Sequence, residues 1–107
     1  MPRVTLVRYT TKPDRAEENE ALSRAVFAEL RTTNPDHVTY ALFRDGPDFV
    51  HVFINLESDD SGPVTELPSF KAFTRDAGER YVAPPEQIRL NLGLVESYGL
   101  ASAMAPA

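Results

Sequence analysis

The hydrophobic pattern of this chain changes period four times, from a two-residue repeat to a helical one and back, twice over. Val4 to Thr10 sets Val4, Leu6 and Arg8 against Thr5, Val7 and Tyr9, and its β-branched and aromatic content favours a strand. Pro13 then stands where a helix can open without losing a bond, and Asp14, Glu17 and Glu18 suit the positive end of the helix that follows. Leu22, Ala25, Val26 and Leu30 give this helix an apolar stripe, Glu20 and Arg24 can pair on its outer side, and Asn34-Pro35 ends it beyond Thr32. His37 to Arg44 and Phe49 to Leu56 are two strand-like runs around Asp45-Gly46-Pro47-Asp48, which predicts a hairpin. After the polar loop from Glu57 to Pro63, helical spacing returns at Thr65, with Phe70, Phe73, Ala77 and Tyr81 near one face and Gly78 as a break point. Ala83-Pro84-Pro85 stops it, and Gln87 to Gly99 alternates Ile88, Leu90, Leu92 and Leu94 with Arg89, Asn91, Gly93 and Val95 as a last strand.

This order predicts one α+β domain over residues 1–99, followed by a flexible tail at 100–107 of small, weakly polar residues. Neither side of the strands is polar enough for open water. One side collects Val4, Leu6, Val38, Tyr40, Leu42, Val50, Val52, Ile54, Leu56, Ile88, Leu90, Leu92 and Leu94, and its continuity predicts that the helices cover it. The other collects Val7, Tyr9, Thr39, Ala41, Phe43, Phe49, His51, Phe53, Asn55, Asn91 and Val95, an aromatic and polar mixture that suits an interface with a second sheet. A homodimer through that sheet face is the expectation.

Composition narrows the function classes. A net charge of -5 with scattered Lys and Arg residues argues against nucleic acid and against an anionic membrane surface. The absence of Cys removes disulfides, thiolate ligands and cysteine nucleophiles. No stretch reaches the ~20 apolar residues of a membrane span, and the start of the chain lacks the apolar core of a signal peptide, so the cytoplasm is the expected location. The two histidines sit on different strands, and Glu57, Asp59 and Asp60 lack the spacing of a calcium loop, so no metal is expected.

Four pieces of the chain together resemble a known family: the opening strand and long helix, the hairpin from Tyr40 to Phe53, the phrase Leu67-Pro-Ser-Phe-Lys-Ala-Phe73, and the alternating strand after Pro84-Pro85. Over Val4 to Gly99 the chain is similar to the antibiotic-biosynthesis monooxygenase-like proteins of the dimeric α/β-barrel superfamily. The resemblance implies a ferredoxin-like βαββαβ fold, with a four-stranded antiparallel sheet, helices on one face, and a barrel closed across a homodimer. It also implies cofactor-free oxygenation of quinol-like aromatic compounds, or a scaffold without such chemistry. Many members carry a Trp near the end of the third strand, where this chain has Leu56 and no Trp anywhere. The Asn of the first strand and the His of the second helix that mark haem-degrading members are missing, so the resemblance does not extend to haem degradation.

Within that frame His51, beside Phe49, Phe53 and Tyr9, is the candidate base, because a neutral imidazole can take a proton from a phenolic substrate near neutral pH. The competing reading makes it a hydrogen-bonded interface histidine. Asn55 is the second catalytic candidate. Tyr9, Tyr40, Phe53, Phe70, Phe73, Arg89 and Asn91 are candidate substrate contacts, with Arg89 and Asn91 among the groups that could hold an anion. Structural roles compete for all of these: Phe70 and Phe73 at helical spacing suit a core, and His37 a surface position. Two functions follow: a cofactor-independent monooxygenase acting on a small aromatic, quinol or polyketide-like compound, or a non-enzymatic small-molecule-binding or stress-associated dimer.

Overall fold

β1 (Arg3–Thr10) leads through a single 3₁₀ turn at Pro13–Arg15 into α1 (Ala16–Thr33), and the hairpin β2 (Val38–Asp45) and β3 (Asp48–Asn55) follows. Three short helices, α2 (Gly62–Thr65), α3 (Pro68–Arg75) and α4 (Ala77–Arg80), precede β4 (Glu86–Asn91). This computed structural model describes residues 2–100, so the expected loose tail lies, from residue 101 on, outside the described residues. The sheet order is β2-β3-β1-β4 with every neighbour antiparallel. β1 and β2 are therefore parallel with β3 between them, and β3 and β4 are parallel with β1 between them. These are the two interleaved βαβ units of a ferredoxin-like fold.

The hairpin turn sets which residues share a face. Asp45 pairs with Asp48, leaving Gly46 and Pro47 as the whole loop. Gly46 adopts φ 59, open to a residue without a Cβ, and Pro47 supplies the restrained negative φ of the second position. With a two-residue loop, Tyr40 stands opposite Phe53, Leu42 opposite His51 and Val38 opposite Asn55. On β1, Tyr9 pairs with Phe49 and Val7 with His51.

This register overturns the expected assignment of faces. The helices cover the aromatic and polar side, where Phe49, His51, Phe53 and Asn55 are buried in alternation with half-buried Val50, Val52 and Ile54. Tyr40, Leu42 and Val38 belong with that side too. The open side is aliphatic: Val4, Leu6, Val50, Val52 and Ile54, flanked by Ala41 and Phe43 on β2 and by Ile88 and Leu90 on β4. The reason lies in the helices. α1 buries Ala16, Asn19, Ser23 and Val26, so its inward stripe carries two polar residues, of which Ser23 bonds the Asn19 carbonyl and Asn19 takes a polar partner from the sheet at Tyr9, while Ala25 is exposed and Leu22 and Leu30 sit at the margin.

The second helical region departs from expectation in two ways. It begins at Gly62 rather than Thr65, and it breaks at Asp76, whose φ of -122 and ψ of 27 leave the helical range, rather than at Gly78. Glu29 of α1 holds the start of α3, accepting from the Ser69 backbone N–H at 3.0 Å and from its hydroxyl at 2.6 Å. The last strand is also shorter than its alternation predicts. Asn91 pairs with Arg3, where β1 begins, so residues beyond it have no ladder to join apart from the Leu92 N–H to the Pro2 carbonyl.

The core consists of Tyr9, Phe49, Phe53, Val26, Ala16, Val64, Leu67, Phe73 and Tyr81. Phe49 is fully enclosed, stacked on Tyr9 at 5.5 Å between ring centres and capped by the Arg44 guanidinium. Arg44 in turn bonds Glu17 and Glu20 of α1 and the Gly46 carbonyl, tying the turn to the helix layer. Replacing Phe49 by Ala is expected to cost about 3–5 kcal/mol of unfolding free energy, measured by urea denaturation.

Candidate functional site

The broken second helix leaves the sheet incompletely filled. A cavity of about 620 Å³ lies between the sheet and α2–α4, within the size range of small-molecule sites. β1 contributes Thr5, Val7 and Tyr9 to its wall, β2 Tyr40, β3 His51 and Phe53, the helices Phe70, Phe73, Ala77 and Gly78, and β4 Gln87 and Arg89. A Cβ added at Gly78 would meet nothing within 4 Å, so the small residues after the Asp76 break help to keep the space open. Val82, Ala83, Pro84, Gln87 and Arg89 are exposed and form the rim.

A buried chain of hydrogen bonds runs along the inner wall. Tyr40 Oη lies 2.7 Å from His51 Nδ1, and Tyr9 Oη lies 2.7 Å from His51 Nε2. Asn19 Nδ2 donates to Tyr9 Oη at 2.8 Å, and Arg80 Nε donates to Asn19 Oδ1 at 2.9 Å. Arg80 also donates to the Phe73 carbonyl at 2.7 Å and lies over the Phe73 and Tyr81 rings. It is 1% exposed and makes no ion pair among the described residues. The backbone fixes this end of the chain: Thr11 bridges Tyr81, Lys12 N–H bonds the Arg80 carbonyl, and Val82 N–H bonds the Thr10 carbonyl.

Burial sets the protonation states. It pushes the His51 imidazolium down to about 4, so the ring is neutral at neutral pH. Burial raises all three tyrosines: Tyr40 and Tyr81 well above the ordinary range, with the Tyr9 charge adding to each, and Tyr9 against opposing hydrogen bonds, chiefly from Asn19 and then Tyr81. The wall therefore presents neutral phenols and a neutral imidazole.

The structure brings His51, Tyr9, Tyr40, Phe53, Phe70, Phe73 and Arg89 to this one cavity. The two asparagines stand elsewhere. Asn55 organises the loop before α2, accepting from the Glu57 and Ser58 N–H groups and donating to the Asp60 carbonyl, and Asn91 accepts from Arg3 near the end of β4. His37 is half-buried at φ 62 and pairs with Glu57. Tyr81, which shares the helical spacing of Phe70 and Phe73, lines the cavity with them, and Asn19 and Arg80 join the site from positions that the sequence does not mark as site residues. Asn19 and Ser23 were detectable, because with Ala16 and Val26 they complete a helical stripe parallel to the aliphatic one. Arg80, charged and at the end of its helix, offered no sequence signal for burial.

Several solved structures share this fold. The Mycobacterium tuberculosis protein Rv0793 superposes with a TM-score of 0.72 at 21% identity, over 92% of this chain and 100% of that one. A candidate antibiotic biosynthesis monooxygenase from Caulobacter crescentus gives 0.72 at 18% identity, over 89% and 91% of the two chains. A second protein so described, from Nitrosomonas europaea, gives 0.70 at 14% identity, over 83% and 88%. The chain is thus like the antibiotic biosynthesis monooxygenases in fold. No family model and no curated protein sequence matches it.

The His51 environment has a measurable pH signature. The unfolded chain takes up the imidazole proton near pH 6.5, whereas the folded chain does so only near 4, so stability is complete above about 6.5 and declines as the pH falls towards 4. The His51 share of that loss is expected to be about 3 kcal/mol. Urea titrations at several pH values should show it, and the His51→Gln variant should lack it.

Proposed function

We propose that the cavity takes up a small aromatic compound of quinol or polyketide type and oxygenates it without a cofactor, in a homodimer joined through the open sheet face. The observation that carries this reading is an apolar, aromatic cavity with one neutral imidazole held between two tyrosine hydroxyls. Its likeness in fold to proteins named as monooxygenases supports the same reading. In the net reaction an activated methylene becomes a carbonyl. O2 supplies the carbonyl oxygen, and its second oxygen leaves as water with the two hydrogens of the methylene, the substrate giving up four electrons. Phe53, Phe70 and Phe73 bind the rings, Tyr40, His51 and Tyr9 supply the polar contacts, and Arg89 at the rim meets an acidic substituent.

A second reading, binding without turnover, is favoured by one observation. An imidazole whose acid form is pushed down to about 4 is a weak base, and among the described residues no carboxylate lines the cavity to replace it. A thermal upshift with aromatic ligands and no oxygen consumption would point to this reading.

The dimer rests on the open face. Phe43 is 60% exposed, and Ile88 and Leu90 nearly half exposed, on a surface continuous with Val4, Leu6, Val50, Val52 and Ile54. A second copy presenting the same aliphatic face would cover it.

Oxygen uptake with a panel of quinol-type aromatics that carry an activated ring methylene in their keto form should exceed background and fall by about a hundredfold in Tyr40→Phe and His51→Ala. Uptake at background for every substrate would sink the oxygenase reading. Sedimentation at low protein concentration should show a dimer, with Val52→Asp shifting it to monomer; a stable wild-type monomer would refute the shared face.

A further inference from the structure

The hydrogen-bond chain along the cavity wall has a direction, and the direction can be deduced from which groups are able to donate. Arg80 is a donor only, so the Asn19 atom it bonds must be the amide oxygen, and the Asn19 amide nitrogen must then donate to Tyr9. Tyr9 is buried whereas Tyr40 is half-buried, so the Tyr9 proton is the costlier of the two to leave without a partner, and it goes to the acceptor within its reach, His51 Nε2. In a neutral imidazole that accepts at Nε2, the proton sits on Nδ1, and Nδ1 donates to the Tyr40 oxygen. The hydroxyl proton of Tyr40 is thereby turned away from His51, and no group among the described residues accepts it.

We infer that the cavity binds its ligand as an oxyanion, a phenolate or enolate, that accepts the Tyr40 hydroxyl proton, and that Arg80 acts as a positioning residue orienting the whole chain from behind. The inference rests on the cavity being a ligand site, the first part of the reading above, and is independent of oxygen chemistry. The charge distribution agrees with it. The protein as a whole is acidic at -5, yet among the described residues no carboxylate lines the cavity, a cation without a carboxylate partner lies behind the wall and Arg89 stands on the rim. The titratable groups facing the space are Tyr9 of β1, Tyr40 of β2, His51 of β3, Arg89 of β4 and Tyr81 after α4. Each bond of the chain polarises the next, so the Arg80 charge strengthens Tyr40 as a donor two side chains beyond Asn19 and Tyr9. A ligand phenol that ionises there releases its proton to water.

Two measurements test this. Nitrogen-15 NMR of histidine-labelled protein should show His51 protonated at Nδ1 with a bare Nε2; the reverse tautomer would overturn the inference. Para-nitrophenol, whose ionised form absorbs in the visible, should ionise about tenfold more readily when bound than in water, seen as an apparent ionisation about one pH unit lower. Tyr40→Phe should bind the probe without that shift, and Arg80→Met should shrink it. If Arg80→Met fails to fold, the wild-type tautomer and the Tyr40→Phe titration still decide. Binding of the neutral phenol with unchanged ionisation would overturn the oxyanion site and leave the cavity reading standing. No binding at any pH would overturn both.

Discussion

A two-residue loop governs the rest of this molecule. Once Gly46 and Pro47 alone join β2 to β3, each residue of one strand has a fixed partner on the other, and odd positions of β3 face the same way as even positions of β2. That parity puts Tyr40 beside His51 and Phe53 rather than beside Val52. β1, paired to the other edge of β3, adds Tyr9 to the same side. The aromatic and hydrogen-bonding side chains around His51 are thus gathered under the helices, and the aliphatic row of Val50, Val52 and Ile54 is left outside. One residue more in the loop would exchange the faces of β2 and separate Tyr40 from His51.

The consequence is an interior with an uncommon division of labour. The deepest positions are occupied by Phe49, Val26 and Thr11, but also by Arg80, Asn19 and Ser23. Ser23 donates to the Asn19 carbonyl of its own helix, but the other buried polar side chains tie different elements together: α1 meets β1 through Asn19 and Tyr9, α4 meets α1 through Arg80, and β2 meets β3 through Tyr40 and His51. Such a network holds the layers in one arrangement, because sliding any of them would strand a donor or a charge away from water. The cavity is the complement of that rigidity. The second helical region is broken into α2, α3 and α4, and the residues at its last break, Ala77 and Gly78, are too small to fill the space that a continuous helix would occupy.

Much of this was legible in the chain before folding. The order of elements, the hairpin and most of the cavity aromatics follow from period and turn chemistry. The faces did not follow, because aliphatic content alone does not decide which side of a sheet the helices cover. The same sequence held the correcting signal: reading Asp45-Gly46-Pro47-Asp48 as a two-residue loop makes Tyr40 and Phe53 partners by arithmetic. Leu92 and Leu94 misled for a different reason, since alternation marks a strand only while a neighbour remains to pair with it, and β1 begins opposite Asn91. Arg80 was hidden altogether. Its burial depends on Asn19, 61 residues away, and on the Phe73 carbonyl, contacts that no local pattern encodes.

The distribution of aromatic chromophores has a practical side. The chain has four tyrosines and no tryptophan. Tyr9, Tyr40 and Tyr81 all line the cavity, while Tyr98 is fully exposed. Tyr9 and Tyr81 are stacked at 4.1 Å between ring centres, and Tyr40 lies against Phe27 at 4.8 Å. The tyrosine band of the near-ultraviolet circular dichroism, which needs a fixed and asymmetric surrounding, therefore reports mainly on the site, so its occupancy can be followed in the unlabelled chain by light alone.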